Sequence, residues 1–140
     1  MADLLIRGGT VVGADGRQRA DLLCRGGLIA DVGPDLEAQP GTRIVDAGGC
    51  FVMPGGIDPH THLQLPMMGT VVADDFYTGT VAAAAGGTTS FLDFVGPERG
   101  QSPQEALAVW RERAGKAVID YGFHMTVSWW GPRFSEEMAT

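Results

Sequence analysis

The chain is 140 residues long, with 44% hydrophobic and 19% charged residues, which is typical of a folded globular protein and not of a disordered one. Its formal net charge of −7 argues against nucleic acid or an anionic membrane as the main partner. No stretch reaches the ~18 apolar residues of a membrane helix, and the first residues lack a signal-peptide pattern, so we expect a cytoplasmic protein.

Residues 3–52 predict a small antiparallel sheet, because short β-rich runs alternate with glycine turns. The predicted turns lie at Gly8-Gly9, Asp15-Gly16 and Gly26-Gly27. Cys24 and Cys50 fall in separate predicted strands without metal-ligand spacing, so we expect buried free thiols.

The segment PGGIDPHTHLQLP, residues 54–66, contains a candidate metal site. Side chains alternate between the two faces of an extended strand, so Asp58, His60 and His62 share one face and Thr61 lies on the other. Neutral imidazole is a favoured ligand of zinc, and this spacing lets both histidines reach one ion. Asp58 is placed to orient one imidazole through its second nitrogen. The alternative is a pair of exposed histidines without function.

A predicted loop follows at residues 63–70, and its apolar side chains have two possible roles. They either cover the sheet or form part of a substrate pocket, and the pocket candidates are Leu65, Met67 and Met68. Asp74-Asp75 then begins a predicted helix that ends before Gly86-Gly87. Acids at a helix start are normally solvated, so we interpret this pair as structural. Residues 82–85 are expected to pack against the sheet.

Residues 88–94 predict the second strand, with Asp93 near its end as a metal neighbour or a hydrogen-bond anchor. Ser102 to Glu105 is a capping box that predicts the next helix, whose apolar stripe indicates core packing. A third strand is predicted over residues 122–129, with His124 early in it as a core histidine, and a further helix is predicted to start at residues 135–137.

Residues 54–94 closely resemble the start of the catalytic barrel in the dihydropyrimidinase/D-hydantoinase family of cyclic amidohydrolases. The resemblance extends more loosely over the whole chain, including residues 121–124 and 129–130. It implies an α/β protein with a TIM-like (β/α)8 barrel preceded by part of a small β-sandwich. Residues 1–53 would belong to the sandwich and residues 54–140 to the first three βα units. A complete barrel needs about 250 residues, so the resemblance implies that this chain is a fragment.

The same resemblance implies that the full-length enzyme hydrolyses dihydropyrimidines or hydantoins, which are small cyclic amides, with two zinc ions. His60 and His62 would bind the more buried ion, Asp58 would support them, and the loop would contribute Leu65, Met67 and Met68 to substrate selection. The bridging carboxylated lysine, two further histidines and the catalytic aspartate would lie beyond residue 140. The chain therefore has no certain catalytic residue, would be inactive alone, and would assemble as a homotetramer when full length.

Two alternatives remain open from the sequence. The first is a non-catalytic scaffold like the collapsin response mediator proteins, against which the retention of both histidines argues. The second is another cyclic amidohydrolase, an allantoinase or a dihydroorotase, both of which share the histidine pair. The sequence between residues 63 and 76 is more similar to that of dihydropyrimidinases.

Overall fold

The structure, a computed structural model, describes residues 3–138. It divides the chain into two compact units, one that ends at Pro54 and one that begins at Gly55.

The strands of the N-terminal unit form one mixed sheet in the order β3-β2-β1-β4, with β5 also paired to β1. The strands are β1 (Leu4–Gly13), β2 (Gly16–Arg25), β3 (Leu28–Gly33), β4 (Arg43–Asp46) and β5 (Phe51–Val52). Strands β1, β2 and β3 are antiparallel neighbours joined at the predicted turns, whereas β4 and β5 run parallel to β1. The prediction of an antiparallel sheet is therefore confirmed for the first three strands and wrong for the last two.

The predicted turn at Gly8-Gly9 is wrong, because β1 continues through both glycines with a bulge in its pairing to β2. Gly8 has a φ of 73°, which glycine adopts without strain, and its N–H donates to the carboxylate of Asp21 over 2.8 Å. A Cβ on Gly9 would lie 2.6 Å from the side chain of Val52. The two glycines thus permit a bulge and a close contact inside one strand.

The two cysteines are free, as predicted, but they are not both buried. Cys24 is half-buried on β2, whereas Cys50 is exposed. Cys50 follows the turn at residues 48–49 and precedes the two-residue strand β5, where little chain covers it.

The C-terminal unit contains a parallel sheet in the order β10-β9-β6. Its strands are β6 (Gly56–Thr61), β9 (Thr88–Val95) and β10 (Asp120–Met125), with a small hairpin of β7 (Pro66–Met67) and β8 (Thr70–Val71). Its helices are α1 (Phe76–Ala85), α2 (Pro103–Ala114) and α3 (Pro132–Met138). Each long strand is followed by a helix, which is the predicted βα order.

Helices α1 and α2 begin at the predicted residues. Asp75 caps α1 and accepts hydrogen bonds from the backbone N–H groups of Tyr77 and Thr78, and Ser102 and Glu105 form the predicted capping box of α2. The hydrogen bond from the Thr78 backbone lowers the pKa of Asp75. These contacts support the structural interpretation of the acidic pair.

Three local predictions in this unit are wrong. Strand β10 ends at Met125 instead of residue 129, because its neighbour β9 ends at Val95 and Pro97 has no N–H with which to extend the ladder. Helix α3 begins at Pro132, before the predicted start. Three of the four residues at 82–85 are exposed, so this alanine run does not pack against the sheet of the described chain.

The core of the C-terminal unit lies between the parallel sheet and its helices. It consists of six buried residues: Phe76, Phe91, Val95, Ala106, Trp110 and Ala114. Trp110 and Ala114 confirm that the stripe on α2 packs in the core. None of the helices within residues 3–138 combines the length and hydropathy needed to cross a membrane.

Candidate metal centre

The two faces of β6 and β9 have different surroundings. On β9, residues Phe91, Asp93 and Val95 are buried on the face that packs against the helices, which we call the helix-covered face. Thr61 of β6 is the register partner of Asp93 and contacts it on that face. Strand alternation then places His60 and His62 on the opposite face, which we call the open face.

His60 and His62 come together on the open face, as predicted. Their Nε2 atoms lie 3.2 Å apart, and their ring planes are nearly perpendicular at 83°. Both residues are exposed. One neutral imidazole can donate to the other at this distance, and two unprotonated Nε2 atoms at this spacing can bind the same cation.

Phe94 supports the histidine pair and was missed by the sequence analysis. Its ring centroid lies 4.4 Å from that of His60 and 5.3 Å from that of His62. It also lies 4.9 Å from the ring of His124 on β10. The signal was present in the sequence, since Phe94 is one position from Asp93 and therefore on the opposite face, but only the strand register shows which rings it meets.

His124, predicted to be a core histidine, is not buried within residues 3–138. It is exposed and occupies the second-last position of β10, because this strand begins and ends earlier than expected. It therefore lies at the same end of the sheet as the histidine pair, with Phe94 between them.

Asp58 lies beside the pair, but its carboxylate accepts a hydrogen bond from the backbone N–H of His60 over 3.1 Å. The predicted partner was an imidazole nitrogen. In this structure Asp58 therefore holds the main chain that leads into the pair.

The three loop residues have different environments. Leu65 packs against the hydrophobic core, which agrees with a covering role. Met67 lies in the β7–β8 hairpin, and Met68 at its turn has a positive φ of 49° and is 97% exposed. The structure thus separates Leu65, which is partly buried, from the two exposed methionines.

The histidine pair is not part of a larger ligand cluster in the described chain. Within residues 3–138 no group of three or more His, Cys, Asp or Glu side chains is arranged to hold a metal ion. Lys116, the only lysine of the sequence, lies just after α2 and its ammonium is 4.0 Å from the carboxylate of Asp75. The open face therefore provides two metal donors and no bridging group.

The chain thus has a parallel βα sheet, with a pair of histidines where its first strand ends. This arrangement is typical of α/β proteins that have a metal centre at the carboxyl ends of their strands. The chain belongs to the amidohydrolase family, because the model of that family matches residues 51–137.

The comparisons with individual proteins confirm the resemblance to dihydropyrimidinases and D-hydantoinases. The chain is 49% identical to the dihydropyrimidinase of Rattus norvegicus over 98% of its length and 51% identical to the D-hydantoinase of Geobacillus stearothermophilus over 89%. The crystal structure of D-hydantoinase from Bacillus sp. AR9 superposes with a TM-score of 0.91 at 52% identity over 97% of the chain. The chain spans 27% and 26% of the two curated relatives and 30% of the solved structure.

Proposed function

We propose that this chain forms the first part of a zinc-dependent hydrolase that opens the cyclic amide bond of 5,6-dihydropyrimidines, such as dihydrouracil and dihydrothymine, or of hydantoins. The similarity to dihydropyrimidinases and D-hydantoinases along nearly the whole chain supports this substrate class. The observation that carries the proposal is the convergence of the two Nε2 atoms on one point.

The geometry of the pair fits zinc. Two nitrogens that each lie about 2.05 Å from a tetrahedral zinc ion are about 3.3 Å apart. The Nε2 atoms of His60 and His62 are 3.2 Å apart, so both can bind one ion without moving the strand. They supply two ligands of such a site. The remaining donors, among them a carboxylated lysine that bridges to a second zinc, are proposed to lie beyond residue 140.

Zinc bound in sites of this kind supplies a Lewis acid for the carbonyl and a water nucleophile at neutral pH. In the overall reaction water adds across the C–N bond of the ring amide, giving a carboxylate and a neutral terminal ureido NH2 group and releasing one proton. The residues of this chain act by holding and orienting: His60 and His62 bind the ion, and Asp58 fixes the backbone at His60.

The loop after the pair is proposed to take part in substrate selection. The exposed methionines Met67 and Met68 provide flexible apolar surface that can adapt to a ring substituent, whereas Leu65 fixes the loop to the core. The loop begins at Gln64, which has a φ of 51° and whose N–H donates a hydrogen bond to the carbonyl of Asp74.

The finer architecture is part of the same proposal. Residues 1–53 would form part of a β-sandwich and residues 54–140 the first βα units of a (β/α)8 barrel, whose interior would be the open face. The full-length enzyme would be a cytoplasmic homotetramer.

Turnover of dihydrouracil and hydantoin by the protein expressed from its complete gene tests the proposal. We expect hydrolysis of at least one of the two rings, and a strong loss of it in His60→Ala. Turnover of allantoin or dihydroorotate alone would assign the chain to another cyclic amidohydrolase. Absence of turnover on all four rings together with absence of bound zinc would favour a non-catalytic scaffold and contradict the proposal.

A further inference from the structure

Asp93 is a buried carboxylate directly behind the histidine pair. It is 0% exposed, and both of its oxygens accept hydrogen bonds. Oδ2 accepts from the Leu63 backbone N–H over 2.8 Å and from the Thr61 hydroxyl over 2.9 Å. Oδ1 accepts from the indole N–H of Trp110 over 3.1 Å. Such complete pairing is what a buried polar group requires.

The two residues held by Oδ2 are the chain neighbours of His62. Because side chains alternate along the strand, Thr61 points to the helix-covered face while His60 and His62 point to the open face. The contact between Thr61 and Asp93 therefore restrains the backbone between the two histidines, and the contact with the Leu63 N–H restrains it just after them.

Trp110 fixes the carboxylate in turn. Its indole is 5% exposed in the core on α2, and the guanidinium of Arg113 lies 4.8 Å from the ring centroid. Hydrogen bonds from Trp110 to Asp93, and to Asp93 from Thr61 and Leu63, thus connect helix α2 to the backbone around the histidine pair.

We propose that Asp93 is a positioning residue for the metal centre: held by Trp110, it fixes the backbone on both sides of His62 so that the two imidazoles remain aimed at one ion. This inference rests on the proposed zinc-binding role of His60 and His62. Groups that orient metal ligands typically change metal affinity by about 10- to 100-fold when they are removed.

Two substitutions test the role without a large change in volume. Asp93→Asn replaces one acceptor oxygen with an NH2 group, which must then face a fixed donor, either the Leu63 N–H or the indole N–H of Trp110. Thr61→Val removes only the hydroxyl, and Thr61→Ser retains it as the conservative rescue.

A matched control is available in the other unit. Asp21 is also a buried carboxylate, 6% exposed, that accepts two backbone N–H groups, from Gly8 over 2.8 Å and from Leu36 over 3.1 Å. Asp21→Asn perturbs a similar structural interaction outside the C-terminal unit, so it controls for a general loss of stability.

The experiment measures Zn²⁺ affinity by competition with a chromophoric chelator, and the visible spectrum of the Co²⁺-substituted protein. It uses variants of the protein expressed from its complete gene, purified and shown to be folded by far-UV circular dichroism. We expect Zn²⁺ affinity to fall about 10-fold in Asp93→Asn and in Thr61→Val, with a changed Co²⁺ spectrum, and to stay at the wild-type value in Thr61→Ser and Asp21→Asn. If Asp93→Asn does not fold, the two Thr61 variants decide the question.

The outcomes separate this inference from the proposed function. If His60→Ala loses Zn²⁺ but Thr61→Val and Asp93→Asn bind it as the wild type does, the positioning role is wrong and the metal site stands. An equal loss of affinity in Asp21→Asn would also overturn the positioning role. If His60→Ala binds Zn²⁺ as tightly as the wild type, the proposed metal site itself is wrong.

Discussion

The hydrogen bond between Trp110 and Asp93 should contribute measurably to the stability of the C-terminal unit. Trp110→Phe keeps an aromatic ring in the core but removes the N–H that donates to Asp93 Oδ1 over 3.1 Å. A hydrogen bond to a charged group contributes about 1.5–3 kcal/mol. We expect Trp110→Phe to lower the free energy of unfolding by that amount, plus a packing loss from the smaller ring.

A double-mutant cycle with Asp93→Asn separates the hydrogen bond from the packing loss. In the Asp93→Asn background the amide can turn its NH2 group towards the indole, so removing the indole N–H there should cost only the packing loss. The expected coupling energy is about 1.5–3 kcal/mol. It is measured by urea unfolding followed by far-UV circular dichroism, with unchanged m-values as the check on comparable unfolding transitions.

Trp129→Phe is the matched control for this cycle. The Trp129 ring packs edge-on against Phe134 at 5.2 Å, but its buried indole N–H has no hydrogen-bond partner among the described residues. We expect no coupling between Trp129→Phe and Asp93→Asn. A coupling energy below about 0.5 kcal/mol for Trp110, or one equal to that of Trp129, would refute the hydrogen bond as the source of stability.

Two further predictions concern the helices. Thr80 is 1% exposed, and its hydroxyl accepts a hydrogen bond from the Val118 N–H over 3.1 Å. Thr80→Val should lower the free energy of unfolding by about 1–3 kcal/mol, because it leaves that N–H unpaired. Thr80→Ser should not lower it, and equal urea midpoints for the two variants would contradict the prediction. The backbone N–H of Ser102, followed by Arg133, lowers the pKa of Glu105. Its contribution to stability is therefore fully present above the ordinary glutamate pKa of about 4.3 and is lost as the pH falls through the lower folded-state pKa. Urea unfolding at pH 7 and pH 3 should show a smaller pH effect in Glu105→Gln than in the wild type, and an identical effect would contradict it.

The sequence predicted the parts of the fold that depend on local chemistry. Both helix caps, at Asp75 and Ser102, were predictable because each side chain bonds to N–H groups within three residues. The pairing of His60 and His62 was predictable because residues i and i+2 of a strand lie on the same face.

The features that were missed depend on partners distant in sequence. Whether Gly8-Gly9 forms a turn or a bulge is decided by Asp21 and Val52, which β-strand pairing brings to these glycines. The end of β10, and with it the exposed position of His124, is decided by where β9 stops. A single sequence gives the face on which a side chain lies, but not the register that selects its neighbours.

Asp93 lies between these two cases. Its place near the end of the second strand suggested either a metal neighbour or a hydrogen-bond anchor, and its contacts in the structure support the second interpretation. The identity of its partner Trp110, 17 residues further on, follows only from the packing of α2 on the sheet.

The most direct test of the metal centre is the amount of zinc bound per chain by the protein expressed from its complete gene, measured by elemental analysis for the wild type, His60→Ala and His124→Ala. We predict that His60→Ala loses bound zinc, because one of the two converging Nε2 donors is removed. His124→Ala should retain it, because the ring of His124 lies against Phe94 and no group of three or more metal-ligating side chains within residues 3–138 includes it. Equal zinc content in His60→Ala and the wild type would contradict the assignment of the histidine pair as the metal centre.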